Sequence, residues 1–364
     1  MKNFLVKMSA GALVMLAFAA CKKNDNSPSY TVPTTYTFSG VDSIPAKTML
    51  SMIAELEIAI NKGNTKGVAV SAAKLKGMYA NTGSYFTDTI FSGVTLNLNT
   101  SSIQLQSRTT NSTAQTFINS ILDSIGTNST SVVDGIYGAA GVASNKLLSG
   151  NGFFWRQLFT KTMMGVLIGH QITDVYLGDS LNGSTSLAAK QHAWDQAFYL
   201  WGVPVNFPAS RTGVKYWGSY TSQIDSGLQV PKVLTGINSN VTLMNAFLTS
   251  RAALANNDVA RAQQQANIII ATFEKIEAAA ALHECNEAKN NSGAANIAGN
   301  ISESFGFWMA LKFNTKRTII SDTQINTIAT LYGTNFYNLT LTNLETIKSA
   351  ISTIYGWDSI KAYL

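Results

Sequence analysis

Three histidines and two cysteines are all that this 364-residue chain offers to imidazole or thiolate chemistry. His192 and Asp195 stand three apart, and His170 and Asp174 four apart, so on a helix each pair shares a face. An imidazole and a carboxylate placed in this way can begin a site for iron or another divalent metal. Such a site takes three or four donors, and Asp174, Glu284, Glu287 and Glu303 are the carboxylates available by type to complete one. The plainer alternative is that Asp195 accepts a hydrogen bond inside the fold while Trp194, Phe198 and Trp201 pack as core. For His170 and Asp174 the plainer alternative is a satisfied buried pair. His283-Glu284-Cys285-Asn286-Glu287 carries Glu where a helical zinc protease needs its second His, so it reads as a solvated helix face near a terminus. Nucleophile-elbow, phosphate-loop and EF-hand patterns are missing from the sequence, and the glycine-rich stretch from Asp134 to Gly141 reads as a turn or close packing. Tyr216, Trp217 and Tyr220 offer a different chemistry, a stacking surface for sugar or peptide. They lie in the Val203–Pro231 stretch, the longest irregular insertion between good helices.

The elements that must position these residues are helices. Apolar residues recur at three and four, and the pattern predicts an all-α multi-helix bundle of long amphipathic helices around a buried central one. Helices are expected at Ala46–Asn61, Val68–Ala80, Ala114–Ile125, Val132–Leu148, Gly152–Tyr176, Ser186–Trp201, Val241–Ala255, Asp258–Lys289, Ala294–Phe313, Ser321–Tyr332 and Leu344–Tyr355. In the Asp258–Lys289 helix, Val259, Ala262, Ala266, Ile269, Phe273, Ile276 and Ala280 form one stripe, with Asn257 as N-cap. Gly152–Tyr176 is apolar nearly all round and is the central helix, so Arg156, His170 and Asp174 must there be paired or face a cavity. Residues 86–105 are a small hairpin or an ordered loop.

The first residues carry an address. Lys2 and Lys7 precede an apolar run from Ser9 to Ala20, and Phe18-Ala19-Ala20 sets small residues before Cys21. This is a lipoprotein-type export signal over 1–20, shorter than the roughly 20 apolar residues a spanning helix needs. Cys21 then becomes a lipid-bearing N-terminus, with residues 21–36 a flexible tether and 37–364 the helical domain. The location implied is the cell envelope, with the outer membrane favoured and the domain facing periplasm or surface. Charged residues make up only 13% of the chain, and the formal +6 drops to +4 once Lys2 and Lys7 leave, with no basic stripe to hold nucleic acid. With Cys21 lipidated, Cys285 is alone, which excludes a disulfide framework and makes it a small buried hydrophobe.

Three blocks resemble a known family: GFFWRQLFTKTMMGVLIGHQIT from Gly152, KQHAWDQAFYLWGVPVNFP from Lys190, and SESFGFWMALKFN from Ser302. Together they are similar to the bacterial lipoproteins grouped as domain of unknown function 4856, which implies an all-helical envelope protein and no particular activity. At His192-Ala193-Trp194-Asp195, followed by Leu200-Trp201-Gly202, the chain also resembles the His-x-x-Glu segment of imelysin-like proteins, helical envelope proteins tied to iron or haem uptake and first described as peptidases. Here Asp195 replaces the Glu and Lys190 a Gly, and Ala193 and Gln196 stand where the nearer family carries a second His and a Glu. That likeness implies a binding or accessory protein in iron or haem acquisition, holding its ligand with His192, Asp195 and further carboxylates and passing it to an outer-membrane transporter. A metal-dependent peptidase using the same pair is one alternative. A surface protein that contacts a polymer or partner through the 203–231 loop is the other.

Overall fold

The computed structural model describes residues 30–91, 94–229 and 237–364. The export signal, Cys21 and most of the tether lie outside the described residues. The elements are α1 (Ile44–Asn61), α2 (Ala72–Tyr79), α3 (Leu105–Arg108), α4 (Ser112–Ser129), α5 (Trp155–Met163), α6 (Leu187–Trp201), α7 (Trp217–Gln229), α8 (Ser239–Ala255), α9 (Val259–Asn290), α10 (Ala294–Phe313), α11 (Asp322–Tyr332) and α12 (Leu341–Tyr355). Among the described residues strand is confined to two hairpins, so the fold is the all-α bundle the periodicity indicates. No helix among the described residues is long and apolar enough to cross a membrane.

Local chemistry sets the ends of the elements. Ser71, Asn111 and Ser186 cap α2, α4 and α6 through side-chain oxygens, and Ser321 and Thr340 form capping boxes on α11 and α12. Asp258, not Asn257, caps α9, its carboxylate accepting from Arg261 N–H. The stripe on α9 is buried from Ala262 through Ala266, Ile269, Phe273 and Ile276 to Ala280, against α8 on one side and α10 on the other. The central helix also forms. It runs as α5 to Met163 and then continues with wider π-type turns through Met164–Gly169 and Gln171–Ser180, packed by α6, α9 and α10. At Gly165 an added Cβ would stand 2.1 Å from the Ala310 Cβ, so the close approach of α10 requires glycine there.

Two expectations fail. Val132–Leu148 is no helix: Gly141–Ala143 pairs with Lys146–Leu148, and Ser144 and Asn145 both take positive φ (49° and 56°), the backbone of a two-residue hairpin turn. Within the Val203–Pro231 stretch, the second half coils into α7. At 86–105 the hairpin alternative is realised as Thr89–Phe91 against Val94–Leu96. The packed body begins before residue 37, because the Tyr36 ring is 1% exposed and stacks on Phe198 at 3.7 Å.

Candidate active cavity

Where α1, α5 and the start of α7 meet, a cavity of about 360 Å³ opens. α1 contributes Ala54 and Glu57, α5 contributes Arg156, Gln157, Thr160 and Lys161, and the entry to α7 contributes Lys215, Tyr216, Ser219 and Tyr220. The helix period explains the α5 set, because Arg156 and Thr160, and Gln157 and Lys161, stand four apart, so each pair is stacked on one face. The α7 side is set by glycine. Gly202 ends α6 at φ 84°, Lys215 N–H donates to its carbonyl at 2.9 Å, and a Cβ on Gly202 would meet the Lys215 carbonyl oxygen at 2.4 Å. The next residue, Tyr216, is held at φ 48°, a left-handed conformation that an aromatic residue rarely takes and that tends to persist where function fixes it.

On this wall the buried Arg156 Nε has no hydrogen-bond partner, while the Glu57 carboxyl lies within reach of the Thr160 and Tyr216 hydroxyls without a well-aligned bond at Oε1. An unpartnered buried donor carries a desolvation cost that a bound molecule can relieve. Burial pushes the Glu57 carboxyl above its usual range, opposed by the charges of Lys161 and Arg156. Burial and the Glu57 carboxylate together hold the Tyr216 phenol well above its ordinary value.

A second layer sits behind the wall. The Tyr220 hydroxyl lies 3.1 Å from Glu284 Oε1 and 3.1 Å from Glu303 Oε2. The Lys161 ammonium is 3.3 Å from Glu303 Oε2 and 4.9 Å from the Tyr220 ring centre, and Gln157 donates to Glu303 Oε1 at 2.5 Å. One phenolic proton cannot serve two carboxylates, so the second contact requires a proton on one acid. Burial, then the neighbouring Glu303, push Glu284 up to about 8. The cavity wall is thereby rigid at its back and unsatisfied at its front.

The sequence candidates fall in several places. Asp195 is 1% exposed, and its Oδ1 accepts from Tyr36 Oη (2.7 Å) and Arg251 Nε (2.8 Å), while Oδ2 has no partner. His192 is half-exposed beside it on α6 and turns outward, its Nδ1 3.9 Å from Asp42 Oδ2. The structure does not bring the two to one point. His170 Nδ1 and Asp174 Oδ2 do meet, at 2.6 Å, and Thr315 donates to the other Asp174 oxygen at 2.6 Å. Among the described residues no three His, Cys, Asp or Glu side chains gather as a metal ion would require. His283 pairs with Gln223 at 2.8 Å, and Cys285 is buried against Ser304, its thiol pushed up to about 11 by desolvation.

Tyr216, Trp217 and Tyr220 form no exposed platform. Trp217 is fully buried, its indole N–H donating to the Met164 carbonyl, Tyr220 is 8% exposed, and Tyr216 is half-buried at the cavity. Arg156, required by its place in the central helix to pair or face a cavity, faces one. Glu57, Thr160 and Lys161 were not singled out from sequence. The available signal was a Glu on the inward stripe of α1 and two polar residues one turn beyond Arg156 on an otherwise apolar helix.

The family model for a domain of unknown function, DUF4856, matches residues 33–358, nearly the whole described body. The chain belongs to the DUF4856 family. Neither a curated protein nor a solved structure gives a match. The three blocks that carry the DUF4856 resemblance converge on the cavity: the first supplies Arg156, Gln157, Thr160 and Lys161, the second the Gly202 that pins Lys215, and the third Glu303.

Proposed function

We propose that this DUF4856 protein is a lipid-anchored envelope binding protein whose ligand is a small hydroxylated anion, of the sugar-acid class, held in the cavity between α1, α5 and α7. The observation that carries this is the convergence of the Glu57 carboxyl, the Thr160 hydroxyl and the buried, unpartnered Arg156 Nε on one cavity. The unpartnered guanidinium N–H of Arg156 calls for an anion. The Glu57 carboxylate, with lone pairs beyond those that face Thr160 and Tyr216, can accept from a hydroxyl on the same ligand. Thr160 can serve either group. Cys21 and the export signal before it support placement at the envelope, where a tether of about a dozen residues lets the domain sample solutes near the membrane.

Iron or haem capture at His192 gains no support from this geometry, because Asp195 Oδ1 is spent on Arg251 and Tyr36 and the nearest acid to the His192 ring nitrogen is Asp42, at 3.9 Å. The test is calorimetric titration of residues 22–364, which include the whole described body, with glucuronate, galacturonate, gluconate and glucose. The anions are expected to bind at least about tenfold more tightly than glucose, with the preference lost in Arg156→Gln. Equal affinities, or binding by none of the four, would contradict the reading.

A further inference from the structure

A second cavity of about 430 Å³ adjoins the first, nearer the start of α1. Lys47, Leu50, Ala54 and Glu57 follow one another at three and four residues, so a single stripe of α1 borders both cavities. Leu50 in the second precedes Glu57 in the first by seven residues, a rise of about 10.5 Å along the helix. Lys215 borders both as well, so the two cavities lie on either side of one residue. The opposite wall is equally continuous: the chain leaves α6 at Gly202 beside the second cavity and returns at Lys215 beside the first, and the Lys215 N–H closes the loop on the Gly202 carbonyl at 2.9 Å.

The chemistry changes from one cavity to the next. The first presents a guanidinium N–H, a carboxyl and a hydroxyl. The floor of the second is carbon, with Leu50 and Val203 buried and Pro204 and Val205 half-buried. Its rim is polar and open: Thr212 and Gly213 are exposed, and a Cβ on Gly213 would meet no other described atom within 4 Å. The Lys47 ammonium is already engaged over the Tyr199 ring, 5.4 Å from its centre, and Lys215 likewise has a partner, so neither calls for an anion. A carbon floor under an open polar rim suits an uncharged sugar ring, which turns a C–H face to apolar side chains and keeps its hydroxyls at the edge in contact with water. We infer that the two cavities are adjoining subsites for one ligand, a sugar acid joined to at least one further, uncharged sugar. The acid unit lies in the first cavity and the uncharged unit on Leu50, Val203 and Val205 in the second. This rests on the reading of the first cavity as an anion site, and adds to it the length of the ligand and the order of its units.

The test titrates residues 22–364 with gluconate and with lactobionate, which is gluconate carrying one galactose. Lactobionate is expected to bind at least about tenfold more tightly than gluconate. Arg156→Gln should weaken both by at least about tenfold. Val205→Gln, longer and polar at the edge of the carbon floor, should leave gluconate unchanged and bring lactobionate to within about threefold of it, with circular dichroism as in the parent. In the unmutated protein, the methyl resonances of Val203 and Val205 should shift with lactobionate and stay in place with gluconate, a readout that does not depend on any variant folding. Equal affinities for the two ligands, or methyl resonances indifferent to lactobionate, would overturn the inference and leave the first cavity's reading standing. Lactobionate binding untouched by Arg156→Gln would overturn it by showing that one ligand does not span both cavities. Binding of neither ligand would remove the reading of the first cavity and the inference together.

Discussion

Asp195 and Glu57 are both carboxylates turned into the bundle, both raised by burial and both facing an arginine, yet their surroundings differ in one respect. Around Asp195 the fold is sealed: Arg251 is 3% exposed, its Nε donates to Asp195 at 2.8 Å, and its guanidinium lies 5.1 Å from the Phe38 ring centre. Tyr36 closes the other side with its own hydrogen bond. Around Glu57 the arginine leaves Nε unpartnered and the walls stand apart by a cavity. The first arrangement fixes the N-terminal segment onto α6 and α8. The second leaves a guanidinium N–H waiting for a partner from solution. An acid and a base buried together are therefore not evidence of a site; an opening beside an unpaired donor is.

The largest test of this contrast is Arg251→Met, which strands Asp195 as a buried charge and should lower unfolding free energy by about 3–5 kcal/mol in urea titration. Little loss of stability would mean that the sealed cluster does not hold the N-terminal segment. An effect of comparable size comes from pH. Glu284 behind the cavity and Glu277 beside Gly169 are both pushed up to about 8, chiefly by burial. An acid with a raised folded pKa keeps its proton where the unfolded chain has lost it. Stability should therefore fall as pH rises from about 4.5 to about 8 and then level off, by at most about 1.4 kcal/mol per pH unit for each group. Glu284→Gln should remove the cavity's share of that slope in thermal unfolding followed across this window. A slope unchanged by the variant would show that the Tyr220-bridged pair does not hold the extra proton.

A smaller effect is expected of Arg156→Gln, which should change unfolding free energy by less than about 1 kcal/mol, toward gain if anything, since a strained site is relieved. His192→Ala, at a half-exposed position, should stay within about 0.5 kcal/mol of the parent. A large loss in either would erase the distinction between the two regions.

Much of the scaffold was legible because it is periodic. Ala294–Phe313 was bounded correctly, and the α9 stripe is buried as its spacing requires. The failures lie where backbone conformation or long-range packing decides. Ser144 and Asn145 adopt positive φ that neither residue type announces, and α7 forms because Trp217 and Tyr220 find partners on α9 and α10, some sixty residues or more away in sequence. The cavity was half legible. Arg156 stands out against an apolar helix, but Glu57 reaches it from α1, roughly a hundred residues earlier, and no spacing rule spans that distance. The His192–Asp195 spacing was read correctly as a shared helical neighbourhood, but Asp195 turns inward to Arg251 of α8, a partner that sequence could not designate.

The most direct measurement crosses the two regions: glucuronate affinity and unfolding free energy, both determined in Arg156→Gln and in Arg251→Met. Arg156→Gln should lose affinity by at least about tenfold while keeping its stability, and Arg251→Met should lose stability. Affinity unchanged in Arg156→Gln, together with a stability loss as large as that of Arg251→Met, would contradict it and make Arg156 another structural arginine.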